Sequence, residues 1–205
     1  MPAATRPPTI DAGRERVWLS FAGHFLDTET RHDLPRSALT AVEAGFSVEE
    51  AREIWCFEVT PAVGANLWSV AGEWAGWNED GLVSRVTAIA RRRRHRPGFL
   101  AYLRYRLTIH FGHSSWLAIA DLMRALYAID PASRPQLVAD LVLLGECYFD
   151  FLAPDLAPLD PARRAALRHV FHATFLPALG RTVVAGVEEG AAARAARVEK
   201  ALASA

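Results

Sequence analysis

Three observations predict an all-α protein. Apolar residues recur at the i, i+3, i+4 spacing of helix faces. Runs that alternate apolar and polar residues are missing. The breaks carry helix punctuation: Asp, Asn or Ser before a helix, Pro in its first turn, Gly after its end. Together they point to a helical bundle of about nine to ten helices, built as one body or as two packed sub-bundles.

Residues 1–12 are rich in Pro and Ala and read as a loose segment. The first helix spans about Gly13 to Leu26 and puts Trp18, Phe21, Ala22 and Phe25 on one stripe. A second starts near "DLPRSAL", where Asp33 can cap and Pro35 falls in the first turn, and it stops at Gly45. "SVEE" then supplies a capping box, with Ser47 as N-cap and Glu50 three residues on. The third helix runs to about Val59, and Pro61 ends it or opens the next. The fourth carries Val63, Leu67, Val70, Trp74 and Trp77 on one stripe, and Asn78 in "WNEDG" caps a fifth that reaches about Arg93. Further helices are expected at about 98–112, 115–129, 134–152, 161–176 and 180–203, with Asp130-Pro131 and Asp160-Pro161 as cap-and-proline starts. The Ala-rich tail has a weak apolar face and reads as a frayed or partner-dependent helix. No internal repeat is evident. "RRRRHRPG" (Arg91 to Gly98) is the best boundary, giving a helical domain over 13–93, a second over 94–180 and a final helix over 181–205.

Composition narrows the function. The 23 basic and 23 acidic residues cancel, so no global field draws the protein to nucleic acid or an anionic membrane. Nearly all the positive charge is Arg, with Lys200 the only lysine. No apolar run approaches the roughly 18 residues that span a bilayer, and no apolar leader opens the chain. A reducing cytoplasm is the expected place. Cys56 and Cys147 lie in apolar helical stretches without a CxxC partner, so both are expected as small core residues. P-loop, Rossmann, HExxH, GxSxG and EF-hand signatures are missing. No cofactor is therefore expected.

Four groups of residues can carry chemistry. The first is an acidic and amide set: Asp27, Glu29, Glu58, Asn66 and Glu73. Glu58 shares a helix face with Ala51 and Ile54, and a carboxylate on an apolar stripe must be paired or hydrogen-bonded. Asn66 and Glu73, seven apart, flank the next stripe. The set forms either a polar pocket for a cation, a metal or a partner's basic group, or a buried network that fixes helix register, with Arg16, Arg31 or Arg52 as partner. The second group is His110/His113 and His169/His172. Each i, i+3 pair can chelate a metal, but the wheel puts His110 in the core stripe and the other pair opposite theirs, which favours core and surface histidines. The third is the basic run holding Arg91, Arg92, Arg93 and Arg94, read as a solvated helix end against a nucleic-acid patch. The fourth is Trp68, which lies off its helix stripe beside Gly72 and Gly76; it packs elsewhere or serves as a binding anchor.

The stretches "VWLSFAGHFLDTE" and "EVTPAVGANLWSVAGEWAGW" resemble a small uncharacterised bacterial family, known as a domain of unknown function. Its pattern runs W-x-A-L-S-x-L-F-L-D-T-E, then E-V-x-P-x-x-x-x-N-L-x-x-V-A-G-E-W-x-G-F. Phe25 to Glu29 match the first part; Glu58, Val59, Pro61, Asn66, Leu67 and Val70 to Trp74, with Gly76, match the second. Gly23-His24 departs where the pattern has a bulkier apolar residue, and Trp77 stands in place of Phe. The likeness covers about residues 15–90 and nothing from residue 98 onward. It implies a shared helical fold and carries over no catalytic residue.

The expected function is a non-enzymatic, protein-binding or accessory role, through an Arg- and Trp-lined surface with an acidic pocket near Asp27, Glu58 and Glu73. A small-molecule or metal-dependent helical enzyme is the main alternative, and nucleic-acid binding through Arg91–Arg96 the third. The expected partner is another protein. Membrane association is not expected, and the sequence assigns no oligomeric state.

Overall fold

A computed structural model describes residues 10–25, 31–63, 78–92, 99–149, 156, 158–182 and 191–205, with 99–112, 181–182 and 191 described by backbone alone. Every regular element among them is helical, and no strand is present among the described residues. The helices are α1 (Ala12–Ala22), α2 (Leu34–Glu43), α3 (Val48–Ile54), α4 (Thr60–Val63), α5 (Glu79–Arg92), α6 (Phe99–Tyr127), α7 (Arg134–Tyr148), α8 (Pro161–Val170), α9 (Leu176–Thr182) and α10 (Ala191–Ser204).

The starts follow local chemistry. Asp11 caps α1 by accepting from the Arg14 amide at 2.9 Å, so helix begins before residue 13, and Ile10 packs on the core. Ser47 and Glu50 form the complete capping box of α3. Asn78 accepts from the Gly81 amide at 2.8 Å, and Asp160 from the Arg163 amide at 2.9 Å. Two expected caps behave differently. Asp33 occupies the cap position of α2 in helical conformation and makes no cap bond; its carboxylate takes Arg36 at 2.7 Å. Asp130-Pro131 opens a 3-10 turn, and α7 proper begins at Arg134. After α2 the chain reverses at Gly45, whose φ of 78° suits a residue without Cβ.

Two helical runs change pitch in the same way. α3 and α4 are joined by a π turn, Trp55–Val59, and α8 and α9 by another, Phe171–Phe175. In each, a proline follows two residues after the turn: Pro61 in one, Pro177 in the other. Proline lacks an N–H and crowds the carbonyl four residues back. The wider turn meets this by bonding the residue before proline to a carbonyl five residues back: the Thr60 amide to Trp55, and the Leu176 amide to Phe171. The Thr60 hydroxyl adds a 2.7 Å bond to the same Trp55 carbonyl. Pro61 therefore neither ends nor starts a helix; it sits within a continuous run that bends.

Other expectations are corrected by tertiary packing. The break expected near residue 113 is absent, and α6 is one helix of 29 residues. The Gly112–Ser115 stretch lacks a proline, and weak helix formers cost only about 1 kcal/mol or less each. Burial of Trp116, Ile119, Met123 and Leu126 outweighs that. Nor is the tail frayed: Val198 and Leu202 of α10 are fully buried, and the Leu159 amide bonds the Ala205 carbonyl at 3.1 Å. The stripe expected over Val63–Trp77 lies outside the described residues beyond Val63, which is buried.

α2 runs through the middle. Its buried residues include Ser37, Ala38 and Ala41, whose small side chains let α1, α6 and α7 approach on different sides. Trp55 anchors an aromatic cluster with Phe21 at 5.3 Å, Phe25 at 5.0 Å and Trp116 of α6 at 6.2 Å between ring centroids. The core is one connected cluster from Val17 to Leu202, so it continues across position 93. Cys56 and Cys147 are buried within it.

Candidate functional site

The acidic set is represented among the described residues by Glu58; Asp27, Glu29, Asn66 and Glu73 lie outside them. Glu58 belongs to the first π turn and is completely buried. One carboxylate oxygen accepts from Arg14 Nη2 at 2.6 Å. The other accepts from Arg14 Nε at 3.0 Å and from Trp18 Nε1 at 2.9 Å. This fork, joined by an indole, is the charge-assisted pattern that allows a carboxylate to leave water. Arg14 also stands 5.6 Å from the centroid of Phe46. The partner is none of Arg16, Arg31 and Arg52. Arg16 and Arg52 are exposed, and Arg31 lies over the Phe149 ring at 4.6 Å. Glu58 thus acts as a tie between α1 and the π turn. The signal for Arg14 was in the sequence: it lies one helical turn before Trp18, on the stripe that continues to Phe21 and Phe25.

A second buried carboxylate escaped the sequence reading. Asp140 in α7 is 1% exposed. Its Oδ2 accepts from Arg163 Nη2 at 2.6 Å and Nε at 3.2 Å, and its Oδ1 from Gln136 at 3.1 Å. The pair joins α7 to the first turn of α8. A third tie holds the tail: Glu199 of α10 accepts from Arg168 at 2.8 Å and meets His172 at 2.5 Å. The His172 hydrogen bond, followed by the charge of Arg168, keeps the Glu199 carboxyl below its ordinary value.

His24 is the most perturbed titratable group among the described residues. It is buried against Trp55, and its Nε2 lies 2.8 Å from Ser37 Oγ. Ser20 Oγ in turn lies 2.9 Å from Ser37 Oγ. The alternative acceptor for the Ser37 proton, the Ser20 carbonyl, is at 3.4 Å. Ser37 donates to His24 Nε2 or accepts from it according to the imidazole tautomer. Burial pushes its pKa down to about 4, against the upward pull of Asp33 and with a smaller downward push from His32. Ser37 is 2% and His24 9% exposed.

The histidine pairs do not assemble in the described structure. His113 and His169 are exposed and His172 is committed to Glu199, while the His110 side chain lies outside the described set. Among the described residues no group of three or more His, Cys, Asp and Glu could hold a metal ion. Arg91 and Arg92 end α5 and are exposed; Arg93, Arg94 and Trp68 fall outside the described residues. No helix among the described residues is long and apolar enough to cross a membrane.

One open groove of about 410 Å³ lies between α6 and the run from the second π turn into α9. Asp121, Arg124 and Ala125 form one side, and Ala173, Thr174 and Pro177 the other. Asp121 and Arg124 pair along the helix at 2.6 Å, with 38% and 61% of their side chains exposed. Nearby on α6, Leu117 and Tyr127 are exposed large apolar residues, 38% and 42% accessible. The Tyr127 hydroxyl donates to the Phe46 carbonyl.

Residues 12–122 match the model of the family described as Domain of unknown function (DUF7079), and the chain belongs to that family. The match runs past residue 90, where the motif likeness ended, and takes in most of α6. No curated protein and no solved structure matches.

Proposed function

Taking membership of that family as the premise, we propose that the protein is a non-enzymatic helical binding protein, an accessory factor that docks another protein along the groove between α6 and α9. The observation that carries this reading is how its polar groups are spent. Glu58 and Asp140, the buried carboxylates of the described chain, are each satisfied by an arginine and a second donor. They fix helices in register, and a satisfied network has little capacity left for chemistry. The accessible mixture of charge and apolar surface instead gathers at the groove. The wall made by Ala173, Thr174 and Pro177 is of short side chains, suited to receiving a helix or extended segment.

The test cross-links tagged protein in the cells that naturally contain it before purification, so that weakly held partners, a second copy included, are kept. Ala173→Arg fills the groove with a long charged side chain at an exposed position, where folding should be little affected. Wild type and Arg36→Ala, a change on α2 outside the groove, should retain a stoichiometric protein partner that Ala173→Arg loses. A partner held equally by all three, or the absence of any partner held by wild type, refutes the groove as the docking surface.

A further inference from the structure

We infer that the exposed face of α6 is a two-fold self-association surface, so that a protein received along the groove is a second copy of this chain. This rests on the groove being a binding surface and adds the identity of the occupant.

At about 100° per residue, His113, Leu117, Asp121, Arg124 and Ala128 fall on one face of α6. All of them are exposed or half-exposed. Beside this face the opposite wall of the groove is low, made by Ala173, Thr174 and Pro177. A second helix can therefore lie alongside α6 at ordinary packing distance. Closed dimers place the same patch on both subunits, so the patch must complement itself. The α6 face does so in the antiparallel orientation. A two-fold axis passing between Leu122 and Met123 brings position 121 opposite 124, and 117 opposite 128. Asp121 then meets Arg124 of the partner subunit, and Arg124 meets the partner's Asp121. Leu117, 38% exposed in the single chain, covers the partner's Ala128. The Asp121–Arg124 pair, 2.6 Å apart within each chain, then faces its own copy across the axis. Charge networks of this kind contribute more than isolated surface pairs. Parallel packing in the same register would instead set like charges together. One helix pair buries less than a standard interface, so association should be weak.

Sedimentation velocity from micromolar to high-micromolar concentration tests this. Wild type should show reversible dimerisation. Asp121→Arg and Arg124→Glu each set like charges across the axis twice, and each should weaken association by about tenfold or more. The double variant Asp121→Arg/Arg124→Glu restores opposite charges at both contacts and should dimerise again. Circular dichroism on each protein checks that its fold is intact. A wild type that stays monomeric throughout, or a folded double variant no more associated than the singles, overturns the inference. If wild type is monomeric while Ala173→Arg still loses a different protein, self-association is refuted and the docking groove stands.

Discussion

His24 should make the stability of this protein depend on pH in a window that its carboxylates do not share. In the unfolded chain its pKa is near 6.5; in the fold, burial holds it at about 4. Below 6.5 the unfolded chain binds a proton that the folded chain refuses, so acidification favours unfolding. The contribution is fully present above pH 6.5 and is lost progressively as pH falls toward 4. Within that interval the slope is about 1.4 kcal/mol per pH unit, and the gap of about 2.5 between the two pKa values amounts to about 3 kcal/mol. That is a large share of the 5–15 kcal/mol typical of a domain. The perturbation is His24→Gln, which stays neutral and can still bond Ser37. Urea unfolding of both proteins, followed by tryptophan fluorescence between pH 4.5 and 8, gives the two stabilities at each pH. Subtracting the variant's curve from the wild type's removes the titrations they share. The difference should be flat above pH 7 and decline at roughly the stated slope below 6.5. Parallel curves through pH 5 would refute the neutral, buried imidazole. So would a wild type that gained stability relative to the variant on acidification, since that is the behaviour of a histidine whose folded pKa is raised.

Two further substitutions probe the ties between helices. Arg14→Ala leaves the Glu58 carboxylate buried without its fork and should cost about 3–5 kcal/mol by chemical denaturation, whereas Arg14→Met/Glu58→Met, which removes both charges, should recover much of that loss; a loss under about 1 kcal/mol in Arg14→Ala would show that the pair is not desolvated. Leu202→Ala should cost about 2–5 kcal/mol if α10 is docked as described; a change near zero would return the tail to the frayed state that its composition suggested.

What could be read from the sequence was what chain neighbours decide. The Ser47/Glu50 box, the Asn78 and Asp160 caps and the Trp18–Phe25 stripe depend on residues within a turn or two of one another, and they formed as expected. The need for a partner at Glu58 was also legible, because a carboxylate among Ala51 and Ile54 could not stand alone. Which arginine answered depended on how α1 stacks on a turn 44 residues away, and the place of Arg14 on the Trp18 stripe was the one local sign of it. The Arg163–Asp140 pair, 23 residues apart, and the Glu199 ties to Arg168 and His172 were missed for the same reason. They depend on how helices are stacked, which local patterns do not specify. The continuity of α6 shows the reverse effect: a locally plausible break was overridden by burial supplied from other helices. Of the expected acidic set, Glu58 falls among the described residues, and there it is bonded to Arg14 and Trp18. The groove between α6 and α9 was not anticipated at all, because its two sides lie about fifty positions apart in the chain.

The paired π turns bear on how this chain is compared with its relatives. A turn closed five residues back holds one residue more than an α-helical turn needs, which is how a single-residue insertion is absorbed without breaking a helix. Deleting one residue between Trp55 and Val59, together with Pro61→Ala, should turn the run back into plain α-helix. Every side chain after the deletion would then rotate by about 100° relative to α3, moving Ala62 and Val63 off the core. An alignment across residues 48–63 that places a gap anywhere but in that turn would misassign the faces on both sides. Relatives that lack the extra residue should be sought among those that also lack Pro61.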